Sequence, residues 1–252
     1  MYLATFQTPT TILVPADFQG LDKTREILRY HRSLPHFRQT GATYFATFRL
    51  ADAIPKDVAC EFQAFSAAWR VRLGMLGNPE TTGADQKIRR EYEENQRRMA
   101  IRMEALLDAG AGSCWMSQLR MREVVQNALL HFHPTRLHMY AFVVMPNHVH
   151  ALFRPEGDHD PEDLAGSWKQ FSSRSINRMT GQKGNLWQSE SWDRIVRDSD
   201  HFRKVVRYIA RNPSKANLPP AQASVWINPV LLPEPDSGRV GEDSSTYLLF
   251  PW

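Results

Sequence analysis

The sequence predicts an α+β fold: an antiparallel sheet with helices packed on it, in a ferredoxin-like or RRM-like style. Three observations carry this. Segments with strand and helix signals run in the order strand, helices, two strands, helix, short strands, helix. The two clearest strands, RLHMYAFVV at 136–144 and HVHALF at 148–153, adjoin through Met145-Pro146-Asn147. That connection is too short for a parallel crossover and makes the pair a hairpin. The composition, 42% hydrophobic and 23% charged over 252 residues, is that of a globular chain.

Each element follows from its local pattern. Residues 1–40 are polar with scattered His and Arg, and read as an N-terminal arm. Thr43–Leu50, β-branched and aromatic-rich, begins after Gly41 and reads as a strand. Val58, Phe62, Phe65, Trp69 and Leu73 fall at helical spacing, which predicts an amphipathic helix over about 56–73. Residues 74–83 read as a loop. A charged helix over about 85–107 follows, closed by the Gly-rich stretch 108–112, and 74–112 reads as a helical insertion. Met116–Leu130 reads as a helix with Leu119, Val124, Val125, Ala128 and Leu129 apolar. After the hairpin, Pro161–Met179 reads as a helix with Leu164, Trp168, Phe171 and Met179 inward. Residues 186–188 and 192–197 read as short extended pieces. Ser199–Arg211 reads as a helix capped by Asp198 or Ser199 and stopped by Pro213. The main domain therefore spans 41–218, and 219–252 is a Pro-rich acidic tail, expected to be extended or partly ordered.

Composition excludes several classes. No stretch approaches the ~20 apolar residues a membrane span needs, and no signal peptide is read at the N-terminus. Cys60 and Cys114 stand far apart in no metal spacing, which points to reduced, buried thiols in a cytoplasm. The net charge of +4 hides an asymmetry. Residues 167–215 hold eleven bases against four acids, net +7, whereas 219–252 hold one base against four acids, net −3. A concentrated basic field suits a polyanion such as nucleic acid. No P-loop, G-x-G-x-x-G after a strand, G-x-S-x-G or H-E-x-x-H occurs, so no nucleotide cofactor is expected.

His148-Val149-His150 is the sharpest local signal. In a strand, residues two apart share a face, so both imidazoles project together as a natural pair of ligands for a divalent cation. The plain alternative is two strand histidines held by hydrogen bonds. His131-Phe132-His133 has the same spelling at a helix end, where two residues subtend roughly 200° and the side chains diverge. On the last helix, Phe202, Val205, Val206 and Ile209 form an apolar stripe, and Arg203, Lys204, Arg207 and Arg211 a basic face. Tyr208 falls between the two, with Asn212 one turn later on the same side. Glu190 and Asp193 lie in the basic segment, where surface pairing with Arg194 or Arg197 is the simpler role.

Together these residues form a recognisable pattern. Val143–His150 resembles the HUH motif of single-tyrosine transposases. Residues 184–197 and 207–218 resemble the following blocks of the REP-associated tyrosine transposases, and Pro35-His36 with 41–50 resembles the start of that family's longer members. The resemblance covers roughly residues 30–218, and implies an HUH nuclease fold. It also implies cleavage of single-stranded DNA beside imperfect hairpins, through a 5′-phosphotyrosine on Tyr208. Mg²⁺ or Mn²⁺ would be held by His148 and His150, with Asn212 completing the site where related insertion-sequence enzymes often have Gln. The basic residues Lys169, Arg174 and Arg178 on one helix and Lys204, Arg207 and Arg211 on the other would hold phosphates. Trp187 or Trp192 could stack an unpaired base, with core packing the simpler role for either. The implied partner is single-stranded hairpin DNA of the repetitive extragenic palindrome class, bound at the nucleoid in the cytoplasm by a monomer or homodimer. Two other readings stay open. One is a non-catalytic RRM-like nucleic-acid-binding module. The other is a replication-initiator or relaxase-type HUH nuclease, a group that often carries a second tyrosine or a helicase domain.

Overall fold

The computed structural model describes residues 8–31, 35–74, 83–189 and 191–233. Residues 8–51 and 114–233 belong to one unit and Asp52–Ser113 to another. In the first unit, β1 (Leu28–His31) and β2 (Pro35–Arg38) pair as an antiparallel ribbon within the segment read as an arm. The main sheet contains β3 (Tyr44–Arg49), β4 (Leu137–Val144), β5 (His148–Pro155), β6 (Trp192–Ile195) and β7 (Ser224–Ile227). Its order is β6-β3-β5-β4-β7, with every neighbouring pair antiparallel. The expected α+β class is what the chain adopts.

The second unit holds two helices, α1 (Lys56–Gly74) and α2 (Gly83–Asp108). They are joined by side chains: Trp69 meets Tyr92 at 5.4 Å between ring centroids, and Arg102 pairs with Glu61 at 2.6 Å. Trp69 is buried and Val58, Phe62 and Phe65 are half-buried. Residues 75–82, within the expected loop, lie outside the described residues, as do Glu190 and the end of the tail.

Three helices cover the sheet in the first unit: α3 (Leu119–Leu130), α4 (Pro161–Thr180) and α5 (Ser199–Lys215). Strand alternation decides which faces they cover. Phe48 of β3 and Phe153 of β5 point to one face, where both meet Trp168 of α4. Phe45, Val143 and Leu152 point to the other, where they bury against Phe202, Val205, Val206 and Ile209 of α5. α4 and α5 therefore lie in different layers.

Several expectations are corrected. Phe171 and Met179 are exposed at 55% and 48%. Ser172 takes the inward place one turn after Trp168. Its hydroxyl donates to the Trp168 carbonyl at 2.6 Å and accepts from Trp187 Nε1 at 2.9 Å. Leu119 is also exposed. Cys60 is exposed and Cys114 half-buried, and both are free thiols rather than core residues. Pro213 does not stop α5, which runs two residues further because Pro213 is itself buried and Ala216 N–H bonds the Asn212 carbonyl at 3.1 Å. The helix ends at Lys215, and the chain turns away at Asn217, which takes φ +52°, a conformation asparagine tolerates. The tail is also more regular than its composition implies. Pro220–Gln222 and Pro229–Leu231 form short 3-10 turns on either side of β7, which extends the sheet beside β4. The arm and this segment meet: Leu13 N–H bonds the Leu231 carbonyl at 2.8 Å, and Ile12 and Leu231 are both buried in the α5-side core.

Candidate active site

β5 places His148 and His150 on the face covered by α5, as their spacing requires. Both are buried, at 1% and 3% exposure, with ring centroids 4.8 Å apart. Each ring is fixed by a neighbour. His148 Nδ1 lies 2.8 Å from Asn147 Oδ1, an acceptor, so Nδ1 carries the hydrogen and Nε2 the lone pair. His150 Nδ1 lies 2.7 Å from Thr47 Oγ1, reached across the β3–β5 ladder, where Thr47 and His150 are register partners. Phe45 stacks on the His150 ring at 5.5 Å.

Tyr208 approaches from α5. Its hydroxyl lies 3.2 Å from His150 Nε2, and the two rings meet edge-on at 5.1 Å. The ring is half-buried, as its place between stripe and basic face predicts. Lys215 Nζ sits 5.9 Å from the ring centroid. Asn212, one turn beyond Tyr208, is 1% exposed, and its Oδ1 and Nδ2 have no hydrogen-bond partner. A buried amide left unsatisfied costs about 1–3 kcal/mol, so an ordered water or a ligand would pair with it.

Burial first, then the positive charges of Lys215 and Arg194, push His150 down to about 3. It is neutral at physiological pH. With the phenol donating to Nε2, the ring hydrogen sits on Nδ1 toward Thr47. His148 then offers Nε2, His150 offers its Nε2 once the Tyr208 phenol turns away from it, and Asn212 offers an amide oxygen. This mixed nitrogen and oxygen set could hold a divalent cation. Among the described residues no group of three His, Cys, Asp or Glu could hold a metal, and Asn212 is the residue beside the two histidines that could add a third donor.

The structure separates the other candidates. His131 is exposed and turned to Phe132, while His133 packs on His138 and Trp226, so that pair does diverge. Two other tyrosines of the sheet, Tyr44 and Tyr140, are buried and pushed up to about 12 by burial, which makes both poor nucleophiles. Asp193 is buried rather than on the surface. It is the register partner of Ala46, so it faces away from the histidines. Lys204 and Arg211 are exposed and Arg207 half-buried on α5, in the layer of Tyr208. Arg174 and Arg178 are exposed on α4, in the opposite layer, and Lys169 Nζ donates to the carbonyls of Ser189 at 2.7 Å and Gln188 at 3.3 Å. Trp187 is core, whereas Trp192 is 40% exposed. Sequence reasoning missed Thr47 and Asn147. Asn147 abuts the motif and was within reach, but Thr47 lies 103 residues from His150 and no local signal joins them.

Residues 116–212 match the family described as Transposase IS200 like. The matched segment is less than half of the chain. It contains both histidines, Tyr208 and Asn212, the residues the fold brings together. A REP-associated tyrosine transposase of Escherichia coli (strain K12) is 34% identical over 76 residues, 30% of this chain and 43% of that protein. The match thus spans less than half the length of that relative. A solved REP-associated tyrosine transposase bound to a REP hairpin aligns over 74% of this chain and 72% of its own, at 20% identity and a TM-score of 0.37. Among the described residues no helix is long and apolar enough to cross a membrane.

Proposed function

We propose that the protein is a transposase-type nuclease and strand transferase that cuts and rejoins single-stranded DNA beside hairpins of the repetitive extragenic palindrome class. The observation that carries this reading is the Tyr208 hydroxyl 3.2 Å from His150 Nε2, with the buried, unpartnered Asn212 amide one turn on. The Tyr208 oxygen attacks a backbone phosphorus and the strand's 3′ oxygen leaves. The products are a 5′-phosphotyrosine and a free 3′-OH. The diester is kept, so a second 3′-OH can displace the tyrosine and rejoin the strand without a nucleotide cofactor. A phenol of pKa ~10 is mostly protonated at neutral pH. Mg²⁺ or Mn²⁺ held by His148, His150 and Asn212 would polarise the phosphate and absorb the charge that develops on it. Asn147 and Thr47 keep the two imidazoles in the tautomer that presents Nε2. Lys204, Arg207 and Arg211 supply positive charge to the strand in the same layer. The protein would work at the nucleoid.

The test is covalent trapping on single-stranded DNA with a hairpin and flanking strand. The parent should form a denaturant-resistant adduct on the 5′ phosphate that disappears on chelation of divalent ions. Tyr208→Phe should bind the same DNA, keep its melting temperature and form no adduct. An adduct retained by Tyr208→Phe would move the nucleophile elsewhere and overturn the assignment.

A further inference from the structure

We propose that Trp192 and Arg194, on the edge strand beside the catalytic layer, form a binding subsite for one unpaired nucleotide next to the scissile phosphate. The inference rests on the reading above and names where its single strand is held. β6 is the last strand of the sheet, and alternation turns Trp192 and Arg194 to the face that carries His150. Trp192 is exposed at 40%, unlike the buried Trp187 and Trp168. Its neighbours connect it to the site. Phe45 meets Trp192 edge-on at 6.4 Å, stacks on His150 at 5.5 Å and meets Tyr208 edge-on at 5.8 Å. The Arg194 guanidinium lies 5.0 Å from the Trp192 ring and 5.4 Å from the Phe45 ring.

A part-exposed indole with a guanidinium over its ring matches the two parts of a nucleotide. The indole offers a π-surface for a base, and the guanidinium a charge for its phosphate. Aromatic stacking accepts any base, so this subsite holds the strand without reading its sequence. A base in a duplex has both faces covered, so the occupant is a single-stranded nucleotide flanking the hairpin. Phe45, itself buried, acts as the wall between this nucleotide and His150.

The test is binding, measured without divalent ion on the Tyr208→Phe background so that cleavage plays no part. Fluorescence anisotropy is read with a hairpin carrying a single-stranded flank, a blunt hairpin, and a series with one flank base at a time made abasic. Trp192→Ala should weaken binding of the flanked hairpin by about fivefold or more and leave the blunt hairpin unchanged. Trp192→Phe should recover most of the loss. One abasic position should weaken binding with Trp192 present and have no further effect in Trp192→Ala, a coupling that misfolding would not produce. Arg194→Gln should weaken binding and reduce its salt dependence. If Trp192→Ala binds the flanked hairpin as its parent does, or no abasic position couples to it, the subsite is wrong while the catalytic reading stands. If the parent itself binds no single-stranded flank, both fall.

Discussion

His150 is held on every side: Thr47 at Nδ1, Tyr208 at Nε2, Phe45 across its face and His148 beside it. Its environment has a measurable consequence in the metal-free protein. Burial, then Lys215 and Arg194, lower its pKa from 6.5 to about 3. Between those values an unfolded chain binds a proton that the folded chain refuses. The contribution to stability is therefore full above about pH 6.5 and is lost progressively as pH falls toward 3. At pH 5 the loss is about 2 kcal/mol. His201, lowered to about 4 mainly by burial, acts in the same direction. Urea unfolding at pH 7 and pH 5 should show this drop, and His150→Gln should have a shallower dependence. An identical slope in the variant would show that His150 is not the titrating group.

At the scale of elements, the two basic helices lie in different layers. The bases of α5 share the layer of Tyr208, whereas Arg174 and Arg178 point outward from α4, across the sheet. In the proposed function, a strand at Tyr208 would run along the first set and leave the second to the hairpin stem. The double charge reversal Arg174→Glu with Arg178→Glu should weaken hairpin binding and reduce its salt slope by about 2, leaving cleavage of a short single strand at saturation unchanged. Equal loss on both substrates would place α4 at the cleavage site instead. β7 makes a separate prediction. Ile227 is 2% exposed in the α5-side core while Val230, three residues on, is 57% exposed. Ile227→Ala should cost about 2–4 kcal/mol in chemical unfolding, and Val230→Ala less than about 0.5 kcal/mol. Equal small effects would mean the segment adds little to the sheet's stability.

The whole molecule divides where the chain leaves the sheet after Leu50 and returns near Cys114. The second unit begins and ends at one place: Asp52 Oδ2 accepts from Ser113 N–H at 2.8 Å, and Gly112 lies so close that a Cβ there would come within 2.5 Å of the Asp52 carbonyl. A short linker can therefore bridge the gap. Replacing residues 53–112 by a few Gly and Ser should leave the first unit folded, with a cooperative melt and the divalent-dependent tyrosine adduct intact. Loss of the sheet's circular dichroism in that variant would show that the helical unit is needed for folding.

The sequence by itself determined the hairpin, the shared face of His148 and His150, and the placement of Tyr208 at the border of a buried stripe with Asn212 one turn on. Each of these is a statement about one segment, and the periods of 2 and 3.6 residues settle it. The same rule separated His148–His150 from His131–His133, although the two spellings match. Where a local pattern left a choice, packing made it. Ser172 displaced Phe171 from the inside of α4 because its hydroxyl satisfies the buried Trp187 indole. β7 formed from a Pro-rich tail because β4 had an edge to pair. The tertiary structure alone decided that α5 and not α4 covers the histidines, and that Thr47 and Phe45 hold His150. It also left Trp192 open at the edge of the sheet. The physical reason is that periodicity fixes which side chains share a face, whereas which faces meet depends on burying apolar area between segments a hundred residues apart.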